Sequence, residues 1–407
     1  MPAEAPLVGL SLQPEAEWLE LLLPLVEAHC DVIEVTPETL WRFDPSGNPS
    51  PNGFYRRDLS LTRALGLPVI GHGVNLSIGT PDPRAPRFQA WLDALQRTHE
   101  DFDFLWYSDH FGQTTTADGE FVALPMPVPY SASRAALIRE RLDRAAQVFP
   151  AVALETTSMP FWLADPALEP AMFHAVGHHI LLDVHNLHVM SGLGGLDPRA
   201  YMAALPLERV IELHVSGGSY SDPEWLPSRR SWPLDSHDTA VPEPVWELLE
   251  HALARCPNVR AVILERRDGT VTAGDVPVLA GELLRIREAV ARRQPVSVHG
   301  PTVPALPELG ADDTQLGAAL RQAPALPGVP EDLWRLTTLQ VARLRWERLL
   351  NGSGALDAAY EAAPQRFVAA FRRYHEATPA LATAPPAEVA AFTAFCLREG
   401  LGDALTA

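Results

Sequence analysis

Short apolar runs that end in ionisable side chains recur along the first 270 residues. They are LVGLSLQ (7–13), CDVIEV (30–35), PVIGHGV (68–74), FLWYSDH (104–110), AVALETT (151–157), HILLDVHN (179–186), VIELHVSG (210–217) and AVILERR (261–267). Runs this short and apolar are the pattern of strands covered on both faces, as in parallel sheets. Between them lie stretches of helical period. PEAEWLELLLPLVEAH (14–29) has acidic residues in its first turn, and SASRAALIRERLDRAAQVF (131–149) opens on Ser131 or Ser133 as an N-cap. PEPVWELLEHALARC (242–256) carries Pro near its start and Arg255 near its end, and GDVPVLAGELLRIREAVARRQ (274–294) is one further helix. Buried strands alternating with helices over ~250 residues predict an α/β fold, a (β/α)8 TIM barrel. No G-x-G-x-x-G follows the first run, so an open dinucleotide-binding sheet is poorly supported.

The pattern changes after residue 294. Residues 295–330 are rich in proline and read as an extended linker or wrapped segment. From Glu331 the helical period returns, in DLWRLTTLQVARLRWERLL, AAPQRFVAAFRRYHEATP and PAEVAAFTAFCLREGLG. The expected organisation is a metal-binding catalytic barrel over 1–294, a linker over 295–330 and a small all-α domain over 331–407. Trp334, Trp346, Phe371 and Tyr374 form that domain's own core or, if exposed, a surface for recognising a peptide or partner.

Composition narrows the function classes. The chain has 407 residues, 47% hydrophobic and 20% charged, as in ordinary globular proteins. No run approaches the ~20 apolar residues that span a bilayer, and the start lacks the pattern of a signal peptide. The expectation is a cytoplasmic protein with no membrane partner. The formal net charge of -19 disfavours a nucleic acid partner. Every one of the 32 basic residues is Arg, which excludes Schiff-base catalysis by lysine. Cys30, Cys256 and Cys396 are far apart and form no C-x-x-C, so they read as small buried hydrophobes.

In a (β/α)8 barrel the C-terminal strand ends converge on one mouth. Here they carry His72, Asp109 with His110, Glu155, Asp183 with His185 and Asn186, His214, and Glu265, while the loop after the seventh strand adds Asp235 and His237. One strand-end histidine is more often a hydrogen-bonded core residue than a ligand. Six loaded strand ends together are different, because so many buried ionisable groups require compensating cations. Imidazoles with carboxylates and no thiolates suit iron, zinc or manganese. Glu34 and Glu38, at the end of the second run, divide evenly between a contact to the site and a plain rim position.

The order His72, His110, Glu155, Asp183 with Asn186, His214, Asp235 with His237, Glu265 resembles the ligand set of the endonuclease IV and xylose-isomerase-like barrels. Asn186 stands where the endonucleases have His. The strings HGVNLSIG, SDH, LLDVHN, ELHVSGG and LDSHDTAVPEPVW, spread over residues ~7–290, resemble the domain-of-unknown-function-692 family of multinuclear non-heme iron-dependent oxidative enzymes. The resemblance implies two or three irons in mixed Fe(II)/Fe(III) states, held by those nine residues, with Glu155 bridging and Glu155, Asp183, His214 and Glu265 as the catalytic core. It implies dioxygen-dependent modification of a ribosomally made precursor peptide, at Cys or another iron-ligating side chain. It also implies a small partner protein for leader recognition, or the C-terminal domain in that role. Two positions depart from the family pattern: Thr156 stands where Asn is common, and His185 where Asp-x-Asn-Asn is common. The alternative is a sugar isomerase or phosphodiesterase of the same barrel type using zinc, manganese or magnesium.

Overall fold

The computed structural model describes residues 5–406 other than 45–47, 75, 77, 81–85, 116–120, 160, 297–299, 301, 311–315, 317–318, 321–325 and 379–384. His299, placed in the linker by the sequence, lies outside the described residues.

Eight parallel strands close into a barrel: β1 Leu7–Leu12, β2 Val32–Val35, β3 Val69–Gly73, β4 Phe104–His110, β5 Val152–Glu155, β6 His179–Asp183, β7 Val210–Val215 and β8 Ala261–Leu264. Each strand pairs with its neighbours in sequence, and β8 closes on β1 with Leu7 opposite Ala261. The helices around and between them are α1 Ala16–His29, α2 Tyr55–Leu65, α3 Pro86–Phe102, α4 Ala132–Ala145, α5 Glu169–Val176, α6 Val184–Gly194, α7 Pro198–Ala204, α8 Glu243–Leu253 and α9 Val276–Arg292. The TIM barrel expected from the alternating pattern is therefore the fold. Ser131 caps α4 by accepting from the Arg134 N–H at 3.1 Å. Two short hairpins, Trp41–Phe43 with Pro49–Pro51 and Gln113–Thr115 with Phe121–Met126, are additions that the periodicity did not announce.

The sixth run needs correction. Read as a strand over 179–186, it stays extended only to Asp183 and then turns into α6. The Asp183 carboxylate is the cause: its Oδ1 accepts from His185 N at 2.7 Å and from Asn186 N at 2.9 Å, so it is an N-cap. His185 and Asn186 thus sit in the first turn of a helix rather than at a strand end.

The proline-rich stretch runs up the outside of the barrel. Val296 N donates to Ala254 O at the end of α8, and Pro307 O accepts from Ala132 N at the start of α4. Helices of this fold begin at the mouth and end at the base, so Val296 lies near the base and Pro307 near the mouth. Further along the sequence come α10 Glu331–Gly352, α11 Gly354–Ala362, α12 Pro364–Ala377 and α13 Pro385–Arg398.

The four aromatics of this region are not an exposed surface. Phe371 and Tyr374 are buried, and Trp346 packs with them and with Phe367 and Phe392 in the helices' own core. Trp334 instead packs toward the barrel, its ring 5.7 Å from that of Phe161, in a cluster with Met126 and Val341.

Candidate metal centre

Side chains two apart on a strand share a face, so each barrel strand sends a row of residues inward. The lower row is an apolar plug that includes Val32, Ile70, Trp106, Ala153, Leu181 and Ile263. Two residues further along the same strands stand Glu34, His72, Ser108, Glu155, Asp183 and Glu265.

Ligand-capable atoms of these residues and their neighbours lie within 4.8 Å of one another in five triads: Glu34–His72–His214, His72–His110–Glu155, Glu155–Asp183–His214, Asp183–His237–Glu265 and His185–Asp235–His237. Each triad shares a side chain with the next, so together they form one continuous arc across the mouth. Glu155 Oε2 is 3.0 Å from His110 Nε2 and 3.5 Å from His72 Nε2. His214 sits between Glu34, 2.9 Å from its Nε2, and Glu265, 3.2 Å from its Nδ1. Asp235 Oδ1 is 2.7 Å from His237 Nε2 and 3.3 Å from His185 Nδ1.

Eight of the nine residues expected from sequence take part in these triads. The ninth, Asn186, donates from Nδ2 to Glu155 Oε1 at 3.0 Å and to Thr156 O at 3.2 Å. Two members lay outside the expected set. Glu34 is fully buried, not a rim residue, and faces His72 and His214. His185 joins Asp235 and His237; its signal in the sequence was its odd presence in the Asp-x-His-Asn string, which became interpretable once α6 turned it inward. Glu38 is buried and accepts from Val74 N at 3.1 Å. His188 is half-buried on α6, its ring 6.4 Å from that of His185.

Supporting residues orient the arc. His72 Nδ1 meets the Ser108 hydroxyl at 2.9 Å, which leaves Nε2 for the centre. Thr156 Oγ1 accepts from Asp183 N at 3.1 Å, tying β5 to β6 beneath the arc. Tyr107 Oη donates to Asp109 Oδ2 at 2.6 Å, and Gly73 leaves room for it: a Cβ there would lie 1.8 Å from the Tyr107 hydroxyl. Gly218, in ELHVSGG, is required by a second close approach, since its Cβ would meet Leu234 O at 2.0 Å. His237 itself has φ 53, the left-handed region that a non-glycine residue occupies only when its surroundings hold it there.

Electrostatics give the site its demand for cations. Buried Glu34 Oε1, Asp183 Oδ2 and Asn186 Oδ1 make no hydrogen bond among the described residues. Orphaned buried polar atoms are costly, and three such oxygens beside imidazoles in one mouth fit a set of metal ligands. Burial, with neighbouring His214 and His110, holds the His72 imidazole well below its ordinary range, in the neutral form a metal needs. Burial and the Glu265, Glu155 and Asp235 carboxylates push the Asp183 carboxyl up to about 7. Burial alone would depress His110 and His237, but Glu155 lifts the first to about 9, and Glu265 and Asp235 lift the second to about 10. Without metal, protons on these imidazoles balance the carboxylates.

Above the arc lies a cavity of about 210 Å³ with His110, Asn186 and Asp235 at its polar end and Met159 and Leu193 among its walls. Leu336 and Gln340 of α10 complete it. The same helix grips the loop that carries Asp235 and His237: Asp332 accepts from Ser228 N at 3.2 Å, from the Ser228 hydroxyl and from Trp232 Nε1 at 2.9 Å.

A UPF0276 protein of Caulobacter vibrioides (strain NA1000 / CB15N) is 32% identical over 235 residues, covering 56% of this chain and 78% of that protein. One from Anaeromyxobacter sp. (strain Fw109-5) is 31% identical over 269 residues, covering 63% and 83%. Among solved structures, endonuclease IV from Thermus thermophilus aligns over 69% of this chain and 99% of that one, with 16% identity and a TM-score of 0.43. The family described as RiPP precursor modification enzyme MbnB/TglH/ChrH matches residues 8–300. With that match spanning the whole barrel and every strand of the mouth, the chain belongs to the MbnB/TglH/ChrH family of RiPP precursor modification enzymes.

Proposed function

We propose that the arc holds more than one iron and that the protein is a dioxygen-dependent oxidative enzyme acting on a precursor peptide, at Cys or another side chain able to ligate iron. The observation that carries this reading is the sharing of ligands between adjacent triads, above all Glu155, which reaches toward His72 and His110 on one side and Asp183 and His214 on the other. A carboxylate so placed suits two ions rather than one. His72, His110 and Glu155 would hold one ion; Glu155, Asp183, His214 and Glu265 a second; and Asp235, His237, His185 and the Asn186 Oδ1 a third. Bound iron would supply the reduction of dioxygen and the oxidation of the peptide side chain.

The chain's own residues do the rest. Ser108 fixes the His72 ring, Thr156 holds the Asp183 backbone, and the first turn of α6 fixes the Asp183 carboxylate. The Asn186 amide holds Glu155 in place, and removing it would leave a buried carboxylate oxygen unpaired. Met159, Leu193 and Leu336 narrow the approach and keep bulk water from the arc. A peptide is the substrate class of the family, which leaves the sugar isomerase and phosphodiesterase alternatives without support.

The test is metal analysis by mass spectrometry with Mössbauer spectroscopy, on protein made in iron-supplemented cells. More than one iron per chain, magnetically coupled, is the expected result. Tightly bound zinc, with iron absent even after anaerobic reconstitution, overturns the reading.

A further inference from the structure

A second, larger cavity of about 960 Å³ opens beside the one over the arc. It runs between α10 and the loops after β7 and β8, and the two cavities share Leu234, Asp235, Leu336 and Gln340. Its volume is at the upper end of ordinary ligand pockets. Tyr220 and Trp225, 60% and 52% exposed, stand along it and offer open aromatic surface.

The charges in this groove are unequally committed. Glu224 pairs with Arg229. Asp238 accepts from Ser219 N and Oγ, both at 2.9 Å, and from the Ser236 hydroxyl at 2.7 Å. Asp235 is occupied by His237 and His185. Arg343 pairs with Glu347 at 2.7 Å. Arg267, on the loop after β8, and Arg335, on α10, both line the groove, and neither guanidinium makes an ion pair among the described residues; nor does the carboxylate of Asp268 beside Arg267. In a chain of net charge -19, two exposed, uncommitted guanidiniums against the single uncommitted carboxylate of Asp268 leave this groove, continuous with the candidate centre, less acidic than the chain as a whole.

We propose that this groove seats the precursor peptide next to the residue being modified, and that the seated segment is acidic, its carboxylates meeting Arg267 and Arg335 and its apolar side chains covering Tyr220 and Trp225. The inference rests on the peptide-modifying reading and adds the path and the chemistry of the substrate. Arg prefers carboxylate partners because its planar fork donates two parallel hydrogen bonds, and an acidic segment is otherwise repelled by the rest of the surface. Helix α10 then has a role within the chain as one wall of the substrate channel.

The test uses the full-length, metal-loaded protein and two fluorescein-labelled synthetic peptides. One places Glu, Leu and Tyr around a single Cys; the other replaces each Glu by Gln. Anisotropy titrations at low salt should show the Glu peptide bound at least roughly tenfold more tightly, with the advantage shrinking as salt rises. The R267E/R335E double variant should lose that preference while keeping its metal content and melting temperature. Equal binding of the two peptides, no binding of either, or an unchanged preference in the double variant overturns the proposal. Metal content measured on the same protein reports separately on the reading of the centre, so the two can fail independently.

Discussion

The lower and upper halves of the barrel interior are built by the same strands and differ by a two-residue step. Val32, Ile70, Ala153, Leu181 and Ile263 form a dry plug; Glu34, His72, Glu155, Asp183 and Glu265 stand directly above them. Below, these five side chains are satisfied by contact alone, and the row is closed by size and shape. Above, Glu34 Oε1, Asp183 Oδ2 and Asn186 Oδ1 are buried without hydrogen-bond partners among the described residues. The plug makes the upper layer workable. It is a rigid floor from which carboxylates and imidazoles project at fixed spacing, and it keeps water from reaching them from beneath. Trp106 marks the boundary, apolar by its ring and polar by its Nε1, which donates to Glu212 Oε2 at 2.8 Å under His214.

The contrast can be broken from above or below. The largest effect is expected for Glu155→Gln, which removes a ligand shared between triads. Turnover should fall by at least roughly a thousandfold, and metal content by mass spectrometry should drop. Breaking the floor with Leu181→Ala should cost about 3 kcal/mol of stability through the cavity it leaves, read by urea unfolding, with the metal stoichiometry of the folded protein unchanged. Ser108→Ala leaves both layers in place and frees only the His72 ring; metal affinity by chelator competition should fall roughly 10–100-fold.

Acidity sharpens the comparison, because only the upper layer titrates. His110 and His237, lifted to about 9 and about 10, carry protons at neutral pH in the metal-free protein. Metal must displace those protons, so affinity should rise as pH rises toward these values, by roughly tenfold per unit for each proton released. Calorimetry in buffers of different ionisation enthalpy measures the release directly. The same raised values mean that the stability these two pairs lend the metal-free protein is complete below ~6.5 and is lost as pH rises through about 9 to 10. The smallest effect is expected for Asp332→Ala, outside the barrel. Losing the acceptor for Ser228 and Trp232 loosens the loop bearing Asp235 and His237, and metal at that end should exchange a few-fold faster in a chelator chase, no more than roughly tenfold.

The amino-acid sequence alone determined the barrel and most of its mouth. Strands are local, their apolar runs are visible, and the last residue of each run must face the same opening; His72, His110, Glu155, Asp183, His214 and Glu265 could therefore be read from one rule. Chemistry in short strings also survived, as with Asp235 and His237 in LDSHD. Tertiary structure alone decided the remainder. Glu34 had no local sign separating a rim carboxylate from one enclosed by His72 and His214, because burial is a property of the closed barrel. His185 could not be placed until Asp183 capped a helix and swung the next turn inward. The aromatics of 331–407 could not be assigned to a surface or a core by periodicity, since both patterns put an apolar stripe on a helix. The placement of α10 over the mouth rests on contacts such as Asp332 to Ser228 and Trp334 to Phe161, and contacts between residues so distant in sequence leave no local pattern to read.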